Sequence, residues 1–181
     1  MIINNNFRLR LLDEDDIYFL KQIREDPDTQ KFLGNFVLLS NSSQKKWFEE
    51  LKNKSNTMFL VFENKQKDNW ISIGYVRISE IDYINSSACV GGDIAKEFRG
   101  KGFAKNMYSL IFDLCFNCLN LNRIWLMVLD YNEVALNLYK KLGFKEEGIQ
   151  REAIYKNGKY HNYIMMSLLR KDLKKEITNV K

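Results

Sequence analysis

Asp93-Ile94-Ala95-Lys96-Glu97-Phe98-Arg99-Gly100-Lys101-Gly102-Phe103-Ala104-Lys105 is the stretch on which the reading of the fold turns. A strand-like run over 88–95, with Gly91 and Gly92 inside it, leads in, and a helical pattern over about 104–118 leads out. Glycines let successive backbone N–H groups point inward. A helix N-terminus adds unpaired donors and the positive end of its dipole, and Arg99, Lys101 and Lys105 add charge. A pyrophosphate fits such a loop without a metal. The spacing is neither the dinucleotide fingerprint nor the P-loop. Taken alone, the segment also reads as a strand–helix turn with a basic surface.

Further along stands Asn132-Glu133-Val134-Ala135-Leu136-Asn137-Leu138-Tyr139-Lys140-Lys141-Leu142-Gly143-Phe144. Asn132 suits a helix N-cap, and Glu133 suits the positive helix end. Ala135, Leu138 and Leu142 share one face, and Gly143 suits a left-handed C-terminal cap. Tyr139 lies near that face and on its own is ordinary core or boundary material.

The pattern outward from these segments is regular. Phe7, Leu9 and Leu11 alternate with Arg8 and Arg10, which predicts an edge strand. Asp13 is placed to cap a helix over 14–25 that Pro27 ends, and Ser40 or Asn41 to cap a second through Trp47, Phe48 and Leu51. Strands are predicted over 58–63, 70–82, 88–95 and 124–129, then over 144–155 and 159–169. Asn157-Gly158 joins the last two as a hairpin. The order is strand, two helices, three strands, helix, strand, helix, hairpin, an α+β or α/β layered architecture around one mixed sheet.

The chain has 181 residues, 45% of them apolar, and Pro27 is its only proline. No linker or repeat divides it, so residues 1–170 read as a single domain and 171–181 as a charged tail with Arg170 and Lys171, Lys174 and Lys175 clustered there. The net charge of +5 suits a phosphate-bearing ligand, and RNA equally, but no basic-aromatic signature of an RNA-binding module is present. The first residues lack the pattern of a signal peptide. The most apolar stretch, 110–121, is broken by Asp113, Asn117 and Asn120 and is too short for a span of ~20 residues. A cytoplasmic protein with neither a membrane nor a nucleic-acid partner is the expectation. Cys89, Cys115 and Cys118 are too few for a disulfide framework, and Cys115-x-x-Cys118 lies in an apolar helical stretch without the second ligand pair a zinc site needs, so buried free thiols are expected.

Together the two motifs resemble the GNAT superfamily of acetyl-CoA-dependent N-acetyltransferases. Arg99-x-x-Gly102-x-Ala104 matches its phosphate loop, and Asn132-x-x-Ala135-x-x-x-Tyr139-x-x-x-Gly143-Phe144 its second motif. The element order agrees from Phe7 to about Leu169. The run from Gly148 to Tyr160 is similar to the RimJ/RimL-type branch, which includes protein N-terminal, polyamine and nucleotide-amino-sugar acetyltransferases. Many relatives carry Tyr-x-Asp at the end of that hairpin, where Asn162 stands here.

The resemblance implies a mostly antiparallel mixed sheet of about seven strands with about four flanking helices. It implies direct acetyl transfer: an amine attacks the thioester of acetyl-CoA and coenzyme A leaves as a thiol, with no metal. Loop amides of Arg99, Gly100, Lys101, Gly102, Phe103, Ala104 and Lys105 would hold the pyrophosphate. Strand edges at 92–95, which include Ile94 and Ala95, and at 126–128, with Asn132, would hold the pantetheine arm, and a backbone N–H near Ile94 would polarise the thioester oxygen. Tyr139 matches the family's general acid, and its reference pKa of about 10 keeps it protonated at neutral pH. The base is Asp93, Glu80 or Glu97, with Asp93 favoured for its place beside the acetyl site. The acceptor site is shaped by Phe32, Phe36, Trp47, Tyr155, Tyr160 and His161. Such aromatic walls suit a nucleotide-linked amino sugar, the favoured small-molecule amine, and are also ordinary core material. A polyamine would need carboxylates, for which Asp26, Asp28, Glu49 and Glu50 are candidates. A homodimer is compatible with the family, and a non-catalytic acyl-CoA sensor is the alternative of another class.

Overall fold

The computed structural model describes residues 1–4, 6–34 and 40–173. Eight strands form one sheet in the order β1-β2-β3-β4-β5-β6-β8-β7. They are β1 (Ile2–Asn4), β2 (Phe7–Leu11), β3 (Met58–Gln66), β4 (Asn69–Asp82), β5 (Ser87–Ile94), β6 (Arg123–Leu129), β7 (Lys145–Lys156) and β8 (Lys159–Leu169). Every neighbouring pair is antiparallel except β5 and β6. The helices are α1 (Ile17–Glu25), α2 (Pro27–Gln30), α3 (Asn41–Lys52), α4 (Phe103–Phe112) and α5 (Glu133–Leu142).

The layered α+β expectation holds, with differences at the edges. β1 takes the edge position expected of Phe7–Leu11 and makes that strand the second in the sheet. Three residues, Ile2-Ile3-Asn4, carry too little pattern to be recognised. Pro27 does not simply end a helix. It opens α2, where a proline at the first helical position loses no hydrogen bond, and Asp26 caps it through Thr29 N–H. Asp13 caps as expected, in a reciprocal capping box with Asp16, and Ser40 rather than Asn41 caps α3. Asn157 and Gly158 have φ of 51° and 83°, the doubly left-handed turn of a two-residue hairpin.

Two layers cover the sheet. α4 and α5 bury one face around Tyr108, Phe112, Phe116, Ile124 and Met166. On the other face Leu20 and Ile23 of α1 pack with Tyr75 and Ala95, flanked by Trp47 and Phe59. Beyond α4 the chain continues as a π-helical turn, Asp113–Cys118, whose end carbonyls find an unusual partner. The Arg170 guanidinium donates to Phe116 O, to Leu121 O at 3.2 Å and to Asn120 Oδ1 at 3.1 Å. Arg170 is thus a side-chain cap on the end of that turn, although the residue itself is exposed. Asp172 after it pairs with Lys145 at 3.1 Å, while Lys174 and Lys175 lie outside the described residues. Cys115 is buried, and burial pushes its thiol up to about 12, but Cys118 is exposed, against expectation.

Arg8 and Arg10 are not simply solvated. Glu63 of β3, 3% exposed, receives both guanidiniums, with Arg10 Nε at 3.0 Å. Arg10 also forks onto Asp16 at 2.6 and 2.7 Å, which ties β2 to the entry of α1. Burial works to raise the Asp16 carboxyl, but these bonds hold it below the usual range. Removing Glu63 takes from Arg8 its carboxylate partner and from Arg10 one of its two. Glu63→Ala should lower unfolding stability by about 2–3 kcal/mol, read as a shifted denaturation midpoint at unchanged slope.

Candidate active site

The parallel pairing of β5 and β6 covers Ser87–Arg123, Ala88–Ile124 and Cys89–Trp125, then stops. β5 continues beside β4 to Ile94, and β6 beside β8 to Leu129. A cleft opens between 90–94 and 126–129. Ala95 N–H donates to Ile73 O at 2.9 Å, so by alternation Asp93 and Gly91 also turn their backbone groups to β4, and Gly92 and Ile94 turn theirs into the cleft. Across it, Asp130 N–H donates to Asn162 O at 3.1 Å, which leaves Met127 and Leu129 facing inward.

Some of these groups are already engaged. Ile94 N–H donates to the Asp93 carboxylate at 2.8 Å, and Ile94 O accepts from Arg99 Nε at 2.9 Å. Leu129 O accepts from Asn132 N–H at 2.9 Å. Gly92 and Met127 remain as the facing edges. A Cβ at Gly92 would lie 2.5 Å from Tyr75 O and 3.3 Å from Met107 Cε, so only glycine lets the strands sit this way. The edge is therefore narrower than the sequence suggests: Ala95 and Ile94 spend their N–H groups within the protein.

At the end of the cleft the loop forms as its glycines require. Gly100 and Gly102 have φ of 72° and 80°, with nothing within 4 Å of where a Cβ would stand, so backbone conformation rather than crowding selects glycine. Phe103 packs on Phe7 and Phe98, with ring centroids 5.5 and 6.5 Å apart, and fixes the start of α4 against the sheet. Its side chain thus serves the core and only its amide faces the loop. The first-turn N–H groups of α4, at Phe103 and Ala104, have no helical acceptor. Lys101 and Lys105 stand exposed beside them. A loop of free donors joined to a cleft with two unpaired backbone edges fits a long ligand that has phosphates at one end and amides along its arm.

Arg99 departs from expectation. Its guanidinium bonds Asp26 Oδ2 at 2.8 Å and Thr29 Oγ1, and lies 3.7 Å from Asp93. It staples the loop to α2 rather than reaching out toward a phosphate. Asn132 likewise spends its Oδ1 on Ala135 N–H, 3.2 Å away, as the cap of α5.

Asp93 is enclosed between Arg99, Thr29 and the strand pair, and burial raises its carboxyl despite the arginine. Tyr75, its cross-strand partner, is pushed up to about 12 by burial. Tyr139 reaches the cleft from α5, and burial raises it too, while Tyr108 pulls it down. Glu80 is not brought to Asp93: it stands five residues from Tyr75 along β4, roughly 17 Å at strand spacing. It lines a separate open hollow with Asn56, Asp82, Tyr83 and Trp125.

The aromatic residues expected at the acceptor face divide. Phe32 and His161 gather around Tyr131, with centroids 5.9 and 4.5 Å from it, and His161 Nδ1 lies 3.7 Å from Asp130. Tyr155 and Tyr160 form a separate exposed pair 5.2 Å apart on the hairpin. Trp47 stacks edge-on to Phe59 at 4.9 Å in the smaller core and does not join the cluster. Phe36 lies outside the described residues. Tyr131 went unrecognised although it adjoins Asn132. Its hydroxyl donates to Lys31 O at 2.7 Å, and Lys156 donates to Gln30 O and Leu33 O, so the hairpin side of the site clamps the segment after α2.

The acidic candidates are mostly taken. Asp26 pairs with Arg99 and Lys96, Asp28 with Lys31 and Lys96, and Glu49 with Lys52. Arg24 and Arg77, both close enough to act on Tyr75, make no ion pair with another described residue. Among the described residues there is no group of three or more His, Cys, Asp or Glu placed to hold a metal, and no helix long and apolar enough to cross a membrane.

Residues 6–145 match the family described as acetyltransferase (GNAT) domain. Spermidine N(1)-acetyltransferase of Vibrio cholerae is 30% identical over 167 residues, covering 92% of this chain and 95% of its own. The Escherichia coli K12 enzyme of the same name is 29% identical over 169 residues, covering 91% and 86%. The crystal structure of the V. cholerae spermidine N-acetyltransferase in complex with CoA and spermine superposes with a TM-score of 0.86 at 31% identity, covering 93% of this chain and 98% of that one. The similarity runs through the whole fold that carries the cleft and the glycine loop: the chain belongs to the GNAT acetyltransferase family and is an N-acetyltransferase that uses acetyl-CoA.

Proposed function

We propose that the acceptor is a primary amine of a polyamine of the spermidine class. Near full-length similarity to two enzymes named for spermidine carries this reading, in place of the nucleotide-linked amino sugar favoured by the sequence. The narrower assignment to the RimJ/RimL-type branch rests on the hairpin sequence alone. One observation favours an anionic acceptor such as a nucleotide-linked amino sugar as the second reading. The guanidiniums of Arg24 and Arg77, which make no ion pair with another described residue, lie close enough to act on Tyr75, while the carboxylates of Asp26 and Asp28 are already paired.

Bound acetyl-CoA supplies a thioester activated for attack. Gly92 and Met127 offer backbone partners for its arm, and the loop from Gly100 to Lys105 offers donors and charge for its phosphates. The Ile94 amide is held by the Asp93 carboxylate, so it becomes a donor toward the acyl oxygen only when Asp93 turns away. We assign Asp93 as the group that takes a proton from the incoming ammonium, directly or through water. Its buried site raises the carboxyl toward the range where a base works near neutral pH. Tyr139, raised by burial, keeps its proton at neutral pH and gives it to the departing sulfur.

Free-thiol release from acetyl-CoA, measured against spermidine, spermine, nucleotide amino-sugars, aminoglycosides and short peptides, should give turnover on the polyamines. Tyr139→Phe should reduce kcat about 100-fold with KM for acetyl-CoA nearly unchanged. Turnover confined to nucleotide amino-sugars would establish the second reading instead. Gly102→Val should weaken coenzyme A binding about ten-fold by calorimetry, because a β-branched residue resists a φ of 80°. The acid limb of the kcat/KM profile that belongs to Asp93 should lie above the ordinary carboxylate range, with activity rising as Asp93 loses its proton. That limb should vanish in Asp93→Asn and persist in Glu80→Gln, and the reverse pattern would move the base to Glu80.

A further inference from the structure

Tyr108 sits in the middle of α4, and its side chain is 1% exposed. Its ring lies edge-on to Tyr139 at 5.6 Å and 73°, and edge-on to Phe144 at 6.1 Å and 86°, with Phe112 tilted beside it at 6.0 Å. Its hydroxyl oxygen is inaccessible and makes no hydrogen bond of normal length among the described residues, the Tyr139 hydroxyl being the polar group it interacts with. A buried hydroxyl without a full hydrogen bond is an unfavourable choice, and phenylalanine would fill the same space at no such cost. The neighbouring positions use phenylalanine, at Phe112, Phe116 and Phe144, so the packing does not ask for the hydroxyl.

We propose that Tyr108 is a positioning residue for the acetyl transfer, whose buried O–H donates to the Tyr139 oxygen as that oxygen gives up its proton. The proposal rests on the reading of Tyr139 as the acid. In the resting site Tyr139 is a neutral phenol. When its proton passes to the departing sulfur, the oxygen becomes a phenolate in a poorly solvated place, and a second donor beside it is then strongly favourable. Tyr108 keeps its own proton throughout, and Tyr139 recovers its proton from water once the thiol has left. The arrangement runs in this direction because Tyr108 lies wholly inside the core, whereas Tyr139 is partly exposed as a residue and reaches inward to the cleft. Tyr108 is the deeper, and burial pushes it well above the ordinary range, with Tyr139 adding to the effect. Tyr139 is partly exposed as a residue but its hydroxyl is buried, and Tyr108 is the neighbour that pulls it down. The other groups facing Tyr139 act the opposite way: Asp93 and Cys89 on β5 raise it, and Tyr75 on β4 senses it. Among these groups Tyr108 alone lowers the barrier to releasing the proton.

Tyr108→Phe removes one oxygen atom and leaves the ring in place. Its thermal midpoint should equal or exceed the wild type's, since a buried hydroxyl without a full hydrogen bond is lost. With the acceptor identified by the amine panel, kcat should fall about ten-fold, with KM for acetyl-CoA and for the amine unchanged. The basic limb of the kcat profile should move to higher pH, as Tyr139 holds its proton more tightly. In protein labelled with 13C at tyrosine Cζ, the Tyr139 resonance, assigned through Tyr139→Phe, should titrate with a higher midpoint in Tyr108→Phe, a readout independent of turnover. In the Tyr139→Phe background, adding Tyr108→Phe should cost nothing further. An unmoved Tyr139 titration, or losses that multiply in the double variant, would overturn the proposal while leaving Tyr139 as the acid. Full kcat in Tyr139→Phe would instead remove the acid assignment and the proposal with it.

Discussion

Strands β5 and β6 run parallel for three residue pairs and then each leaves with its antiparallel neighbour. The rest of the molecule is arranged around that parting. A sheet that stayed paired would satisfy every backbone group and leave no entrance between its strands. Here β4 holds β5 on one side and β8 holds β6 on the other, so the sheet twists apart without either strand losing its outer ladder. Gly92 makes the separation possible on the β5 side, because a side chain there would collide with the Tyr75 carbonyl. The backbone edges at Gly92 and Met127 are left without a strand partner, and unpaired backbone groups of this kind are what a chain of amides can pair with. A covering helix meets the open end on each side, α4 with its free donors and α5 with Tyr139. The catalytic opening is therefore a property of sheet topology before any side chain is considered.

Charge is distributed around this opening with little left unused. Arg99 is a motif residue, yet it serves as an internal brace, linking the loop to Asp26 and Thr29 and taking up the Ile94 carbonyl. Burial would raise the Asp26 carboxyl, but Arg99, Thr29 and Lys96 outweigh it and keep Asp26 charged. Asp93 sits at the margin of the same network, 3.7 Å from the guanidinium, too far for the full benefit, and there burial wins. Two aspartates near one arginine are thus pushed in opposite directions, Asp26 by its bonds to Arg99 and Thr29 and Asp93 by its deeper burial.

Local signals were legible in the sequence and long-range partners were not. Caps and turns rest on one or two residues acting on their own neighbours, so Asp13, Ser40, Asn132, Gly143 and Asn157-Gly158 are readable directly. Strand existence follows from alternation, and so does the split between covered and open faces. The position of β1 depends on pairing with Phe7–Leu11, which three residues cannot announce. Arg170 could not be told from the tail lysines because its partners lie about 50 residues back, at the end of a π-turn with carbonyls to satisfy. For the site, the loop and Tyr139 were legible as motifs. That Phe32 and His161 meet at Tyr131, that Trp47 belongs to the core, and that Arg99 faces inward depend on which elements fold over the sheet.

Asn162 shows how a substitution within a motif acquires a physical reason from its surroundings. Its side-chain nitrogen donates to Asp130 Oδ2 at 2.9 Å, its backbone N–H lies 3.2 Å from the same oxygen, and its side-chain oxygen accepts from Glu152 N–H at 2.8 Å. One residue thus joins the end of β6 to β8 and to the irregular stretch of β7, where pairing skips between Gln150 and Ile154. An aspartate here could serve Glu152 but would face the Asp130 carboxylate as a second anion, with no proton to donate. The amide supplies both a donor and an acceptor and leaves Asp130 free to face His161. The negative charge beside this part of the hairpin therefore stands at Asp130, held by Asn162 on one side and 3.7 Å from His161 Nδ1 on the other.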